Sequence, residues 1–178
     1  MTVVGHSLFG LTLGVAFAPT QMRLPARIFY YLAVIFCANI PDLPFDYWGH
    51  QLYFFSHNIF ITLFIIVELF MISLLLVPED LLKQRDTKKI YLVLTLVWLS
   101  HLLLDSFYMN GRGVPILWPL SEERLRLPLP WLYAIRPPVP SLQQWPMYLA
   151  DVATILPLLL LVVAAKRLIT HSRRLSII

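Results

Sequence analysis

A chain of 178 residues that is 58% hydrophobic and 13% charged, with a mean hydropathy of +0.72, is excluded from ordinary water-soluble make-up, which is about half apolar and about a quarter charged. The net charge of +4 comes from Lys and Arg grouped at the ends of hydrophobic runs, as membrane topology requires, and makes no case for a nucleic-acid partner. The lone cysteine, Cys37, lies inside the apolar run YYLAVIFCANI, which excludes a disulfide and a cysteine metal cluster.

In chain order, the hydrophobic segments 3–18, 26–40, 52–77, 90–108 and 147–169 predict five short helices, because a backbone in lipid must satisfy its own polar groups. The first two fall short of the roughly 20 residues that cross a bilayer and are expected to tilt or to enter it partly. Ala16-Phe17-Ala18 has the look of a cleavage motif. It lacks a basic leader, follows an apolar stretch containing His6 and precedes Pro19, so the segment is read as a retained first helix. The expected architecture is all-α, a polytopic membrane helix bundle forming a single domain over residues 1–178.

Topology follows from the cations. Arg23 and Arg27 lie between the first two helices, Lys83, Arg85, Lys88 and Lys89 between the third and fourth, and Lys166, Arg167, Arg173 and Arg174 close the chain. With five crossings these groups share a face, and the positive-inside rule makes it cytoplasmic, with the amino terminus outside and the carboxyl terminus inside. The outer face then receives the start of the first helix, the connection 39–56, and a long extracytoplasmic loop, about 110–146, carrying Arg112, Arg124, Arg126 and Arg136. That loop is too long for a plain turn and is expected to form a lid or interfacial structure.

Chemistry concentrates at that face. In His101-Leu-Leu-Leu-Asp105 a spacing of four puts an imidazole and a carboxylate on one side of a helix, among apolar neighbours where ionisable groups are costly unless paired or coordinating. Asn39-Ile-Pro-Asp-Leu-Pro-Phe-Asp46 ends the second helix with two prolines that stiffen a loop bearing Asp42 and Asp46. His57 starts the third helix and His6 the first. Each has an ordinary reading: a His to Asp staple, a Pro-Asp turn, an interfacial histidine. The argument lies in their convergence, since the topology assigns all six candidate ligands to one level without using them. Imidazole and carboxylate without thiolate suit zinc, manganese or iron, as one ion or two with a bridging carboxylate. Such a site supports hydrolysis of a phosphoester. Asp151 and His50 are near enough to serve as supporting groups, and Gly111-Arg112-Gly113 as a phosphate approach or simply a turn. His171 is on the wrong face. Glu68 lies mid-helix, as a structural group or part of a proton route.

These residues resemble the YdjM-type membrane-bound metal-dependent hydrolases of prokaryotic inner membranes. The likeness rests on His6 ahead of a glycine-bearing helix, Pro41-Asp42 with Asp46, Ser56-His57, and above all His101-Leu-Leu-Leu-Asp105 followed by GRGVPILWPLS, and covers about residues 5–125. The family's Pro-Asp-x-Asp is stretched here to Asp42 and Asp46, and its His-Arg-Gly leading into Thr-His-Ser is replaced by LYFFSHN. The order also resembles the metal core of zinc-dependent phospholipase C and related nucleases. These resemblances imply metal binding by His6, Asp42, His57, His101 and Asp105, with Asp46 as a ligand or general base alongside Asp42. The leading expectation is a hydrolase acting on a membrane lipid or lipid-linked phosphoester at the outer headgroup layer, with Arg112, Arg124 and Arg126 holding the phosphate. An ion or proton carrier and a non-catalytic scaffold with a structural metal are the alternatives.

Overall fold

The structure, a computed structural model, describes residues 1–19, 22–43, 53–76, 85–133 and 144–175. Its regular elements are helices: α1 (Val3–Phe17), α2 (Leu24–Asn39) continued by a 3-10 turn (Ile40–Asp42), α3 (Tyr53–Ser56), α4 (Ile59–Leu76), α5 (Arg85–Asp105) and α6 (Trp145–Leu175). The all-α expectation holds among the described residues. Four stretches are long and apolar enough to cross a membrane, Leu24–Asp42, Ile59–Leu76, Asp86–Asp105 and Trp145–Ile169, and α1 is a shorter apolar helix. α1 is the hub, packing on α2, α5 and α6, while α2 also packs on α5.

Local chemistry explains the ends of these helices. The Thr2 hydroxyl oxygen accepts from the Gly5 amide at 3.2 Å and caps α1. Pro25 sits in the first turn of α2, where its missing N–H costs nothing. Within α1, Gly10-Leu-Thr-Leu-Gly14 lets two backbones meet: a Cβ on Gly10 would stand 2.9 Å from Ala38 Cβ and 3.3 Å from Val97 Cγ1, and one on Gly14 3.1 Å from Val34 Cγ1. The Tyr30 hydroxyl seals the contact by donating to the Gly14 carbonyl at 2.9 Å. The core is this seam, with Tyr30, Val34 and Ala38 of α2 against Val93 and Val97 of α5.

The segment 52–77, expected as one helix, is broken at His57 and Asn58. The cause is the Asn58 side chain. Its amide nitrogen donates to the carbonyls of Phe54 and Phe55 at 2.6 and 2.9 Å, closing α3, while its oxygen accepts from the Ile61 amide at 2.8 Å, starting α4. The fourth helix begins earlier than expected and ends at Asp105, before Tyr108; the last is longer at both ends.

The chain after α5 folds into a compact cap. Leu127 and Leu129 amides donate to the Ser106 and Phe107 carbonyls, both at 2.8 Å, and Val114 and Leu125 exchange a pair of hydrogen bonds at 3.0 and 2.9 Å. The reversal needs Gly113, at φ +74°, where a Cβ would also meet Arg126 Cγ at 2.7 Å. The Ile59 amide donates to the Ile116 carbonyl at 2.9 Å, tying this cap to the start of α4.

Candidate metal centre

Five of the six candidate ligands meet. His6 lies one turn into α1, Asp42 ends the 3-10 turn after α2, His57 sits in the break between α3 and α4, and His101 and Asp105 share the last turn of α5. The histidines are at most 1% exposed, and Asp105 is also buried. Asp46 and His50 lie outside the described residues.

The three imidazole Nε2 atoms converge on the two carboxylates. His6 Nε2 is 3.1 Å from Asp105 Oδ1 and 3.8 Å from Asp42 Oδ2; His57 Nε2 is 3.2 Å from both Asp42 Oδ1 and Asp105 Oδ2. His101 Nε2 is 3.7 Å from Asp42 Oδ1, 3.6 Å from Asp105 Oδ2 and 3.3 Å from His57 Nε2. Ligand atoms of His6, Asp42, His101 and Asp105 all lie within 4.8 Å of one another. Zinc-type bonds to His nitrogen and Asp oxygen are about 2.1 Å, so ligand atoms around one tetrahedral ion stand about 3.4 Å apart. The observed separations bracket that edge length.

Ring orientation is set from behind. His101 Nδ1 is 2.8 Å from the Ala38 carbonyl, which can only accept, so Nδ1 carries hydrogen, and a metal ion would meet the Nε2 lone pair of the neutral ring. His57 Nδ1 is 2.6 Å from the Ser56 hydroxyl. His6 stacks on His101, centroids 3.7 Å apart at 14°, and its Nδ1 is buried without a hydrogen-bond partner among the described residues. The Nε2 atoms can satisfy the carboxylates as N–H donors, or with lone pairs inward they and the carboxylate oxygens would share a cation lying between them. The amino group at Met1, itself a positive charge, is directed at Asp105 Oδ1.

Other predicted residues are farther from the centre. Asp151 is buried, accepts from the Thr2 amide at 2.8 Å and lies 3.4 Å from the Tyr108 hydroxyl, so it anchors the start of α1. Arg124 places its guanidinium 4.4 Å over the Phe54 ring and donates to the Gly113 carbonyl at 3.4 Å. Arg112 and Arg126 are exposed, and Arg126 donates to the Arg112 carbonyl at 3.1 Å, so its guanidinium braces the cap.

Sequence reasoning missed Tyr53, Ser56 as a partner of His57, and the Ala38 carbonyl. The Tyr53 ring stacks on His57 at 3.9 Å and 24°. Burial pushes its phenol up, and the Asp105 and Asp42 carboxylates push the same way against an opposing pull from Arg124 and Arg112. Tyr53 is thus within electrostatic reach of both the carboxylates and the arginines of the cap. Its place four residues before His57 was the available signal.

This set of residues runs from His6 to Asp105, and the match to known proteins extends further: the description of the YdjM inner membrane protein family fits residues 1–171. The chain belongs to the YdjM inner membrane protein family. It is 31% identical over 141 residues to the inner membrane protein YbcI of Escherichia coli (strain K12), covering 71% of this chain and 72% of YbcI. No solved structure matches it. Both likenesses place this YdjM-family chain in the inner membrane, in agreement with its apolar composition and its four helices of spanning length.

Proposed function

We propose that this YdjM-family protein is a metal-dependent hydrolase of a phosphoester in a membrane lipid or lipid-linked substrate, working at the outer headgroup layer. The observation that carries the reading is the convergence of three imidazole nitrogens and two carboxylates, all electron-pair donors, in one buried space. Zinc suits that donor set best, with manganese or iron next, as one ion or two. An ion held there supplies a water acidified toward neutrality and a positive charge for the phosphoryl oxygens.

The chain's own residues do the rest. His6, His57 and His101 with Asp105 would hold the ion, and the Ala38 carbonyl and Ser56 would keep two of the rings turned toward it. Asp42, in the 3-10 turn after α2, would take the proton from the attacking water, with Asp46 the other base the sequence offers. Arg124 and Arg112, within electrostatic reach of Tyr53, attract and orient the phosphate. Exposed Phe54, which Arg124 covers, with exposed Phe55, Leu117 and Leu120, would give the acyl or polyprenyl part an apolar surface.

Elemental mass spectrometry of detergent-purified protein tests this first. Wild type is expected to carry one or two zinc, manganese or iron ions per chain, and the His101→Ala, Asp105→Ala double variant none. Hydrolysis of bis(4-nitrophenyl) phosphate and of phospholipid in mixed micelles should follow the metal. Wild type without metal sinks the proposal; metal without turnover on any phosphoester makes the site structural.

A further inference from the structure

Arg27, Lys89 and Lys166 stand inside membrane spans rather than in the connections between them. Arg27 lies three residues in from the end of the span Leu24–Asp42, Lys89 three in from the end of Asp86–Asp105, and Lys166 three in from the end of Trp145–Ile169. At about 1.5 Å per residue, each is about 4.5 Å inside its span, so the three share one level. The fold also brings them to one place. Lys166 Nζ donates to the Val15 and Ala18 carbonyls at 2.6 and 3.1 Å, which fixes its charge at the end of α1. Ala18, Met22 and Ile90 pack against one core cluster; Arg27 donates to the Met22 carbonyl at 3.2 Å, and Lys89 is the neighbour of Ile90. Both cations are within electrostatic reach of Lys166. Neither Lys89 nor Arg27 has an acidic partner among the described residues: Asp86, in the same turn of α5, makes no ion pair with Lys89.

We propose that Arg27, Lys89 and Lys166 bind the phosphate of an anionic phospholipid in the leaflet at this end of the bundle, opposite the candidate metal centre. Three observations select that occupant. Positive charges from α2, α5 and α6 repel one another at the edge of a low-dielectric layer unless an anion lies among them, and phosphate oxygens accept from ammonium and guanidinium alike. Their depth, just inside the ends of the spans, is where lipid phosphate meets hydrocarbon, whereas an anion from water would meet the exposed cations nearer the helix ends first. Toward the bilayer the site opens on exposed Ile28 next to Arg27, exposed Leu92 one turn on from Lys89, and half-buried Val162 one turn in from Lys166, which suit acyl chains. A zwitterionic lipid carries its own cation beside the phosphate and gains less from the three.

Native mass spectrometry of the purified full chain, titrated with phosphatidylglycerol, phosphatidylcholine or inorganic phosphate, tests the site. Wild type is expected to bind its first phosphatidylglycerol about tenfold or more tighter than phosphatidylcholine. Arg27→Gln, Lys89→Gln should lose that preference, and Arg27→Lys, Lys89→Arg, which keeps both charges, should retain it. Arg23→Gln, Lys88→Gln removes as many cations at the same end, neither of them within reach of Lys166, and should retain it too. If the double Gln variant does not fold, Arg27→Gln alone, at an exposed position, is read in its place and should lose most of the preference. Equal affinity for the two lipids, an equal loss in Arg23→Gln, Lys88→Gln, or inorganic phosphate bound as tightly as the lipid would each overturn the proposal.

Discussion

At the scale of single residues, the candidate centre depends on groups that aim the ligands as much as on the ligands. The Ser56 hydroxyl, 2.6 Å from His57 Nδ1, occupies the position where metal-binding histidines usually keep an orienting partner. Ser56→Ala leaves His57 in place and removes that partner, so metal affinity should fall about tenfold or more, read by competition with a chromophoric chelator. An unchanged affinity would mean that Ser56 merely fills space. What was legible here was whatever side-chain spacing encodes: His101 and Asp105 one turn apart, and His57 and His6 at helix starts. The Ala38 carbonyl was not, because a backbone acceptor carries no residue signature. Tyr53 read as one more aromatic in an apolar run until the ring contact with His57 gave it a place.

Among the elements, the hydrophobic runs marked the helices because lipid requires apolar, internally bonded segments, and the positions agree to within a few residues for α1, α2 and α5. Hydropathy could not show the break between α3 and α4, since one asparagine in an apolar run barely changes an average, while its three hydrogen bonds decide where each helix ends. Nor did it show how the helices approach. That follows from Gly10 and Gly14, whose missing side chains bring α1 onto α2 at the turn that precedes Asp42. Gly10→Leu places its side chain against Ala38 and Val97, where there is no room, and should destabilise the protein by about 1 to 3 kcal/mol. Thermal unfolding in detergent would show the loss as a lower midpoint, with metal content falling as α2 is pushed away; an unshifted midpoint would contradict the tight seam.

For the whole molecule, the two ends of the bundle differ in charge, as the distribution of cations along the sequence requires. The His and Asp cluster occupies one end. At the other end of α1, Lys166 donates to the Val15 and Ala18 carbonyls at 2.6 and 3.1 Å, with Lys89 and Arg27 within electrostatic reach. The cluster draws on α1, the turn after α2, the α3 to α4 break and α5, and among the described residues α4 is otherwise bound mainly to α5 and α3. An ion at the centre would therefore tie the weakly packed α3 to α4 break to the α1, α2 and α5 core, and its binding would add to folding stability by mass action, about 4 kcal/mol at a free concentration a thousand times Kd. Without it, the two carboxylates have, among the described residues, the imidazoles and the Met1 amino group as partners. Adding a strong chelator to the purified protein should lower the unfolding midpoint by several degrees, and returning zinc should restore it. The His101→Ala, Asp105→Ala variant should unfold at one temperature with or without chelator, since it has no ion to lose. If chelation strips the metal from wild type and leaves the midpoint where it was, the four pieces are held by helix packing alone, and the ion serves chemistry rather than cohesion.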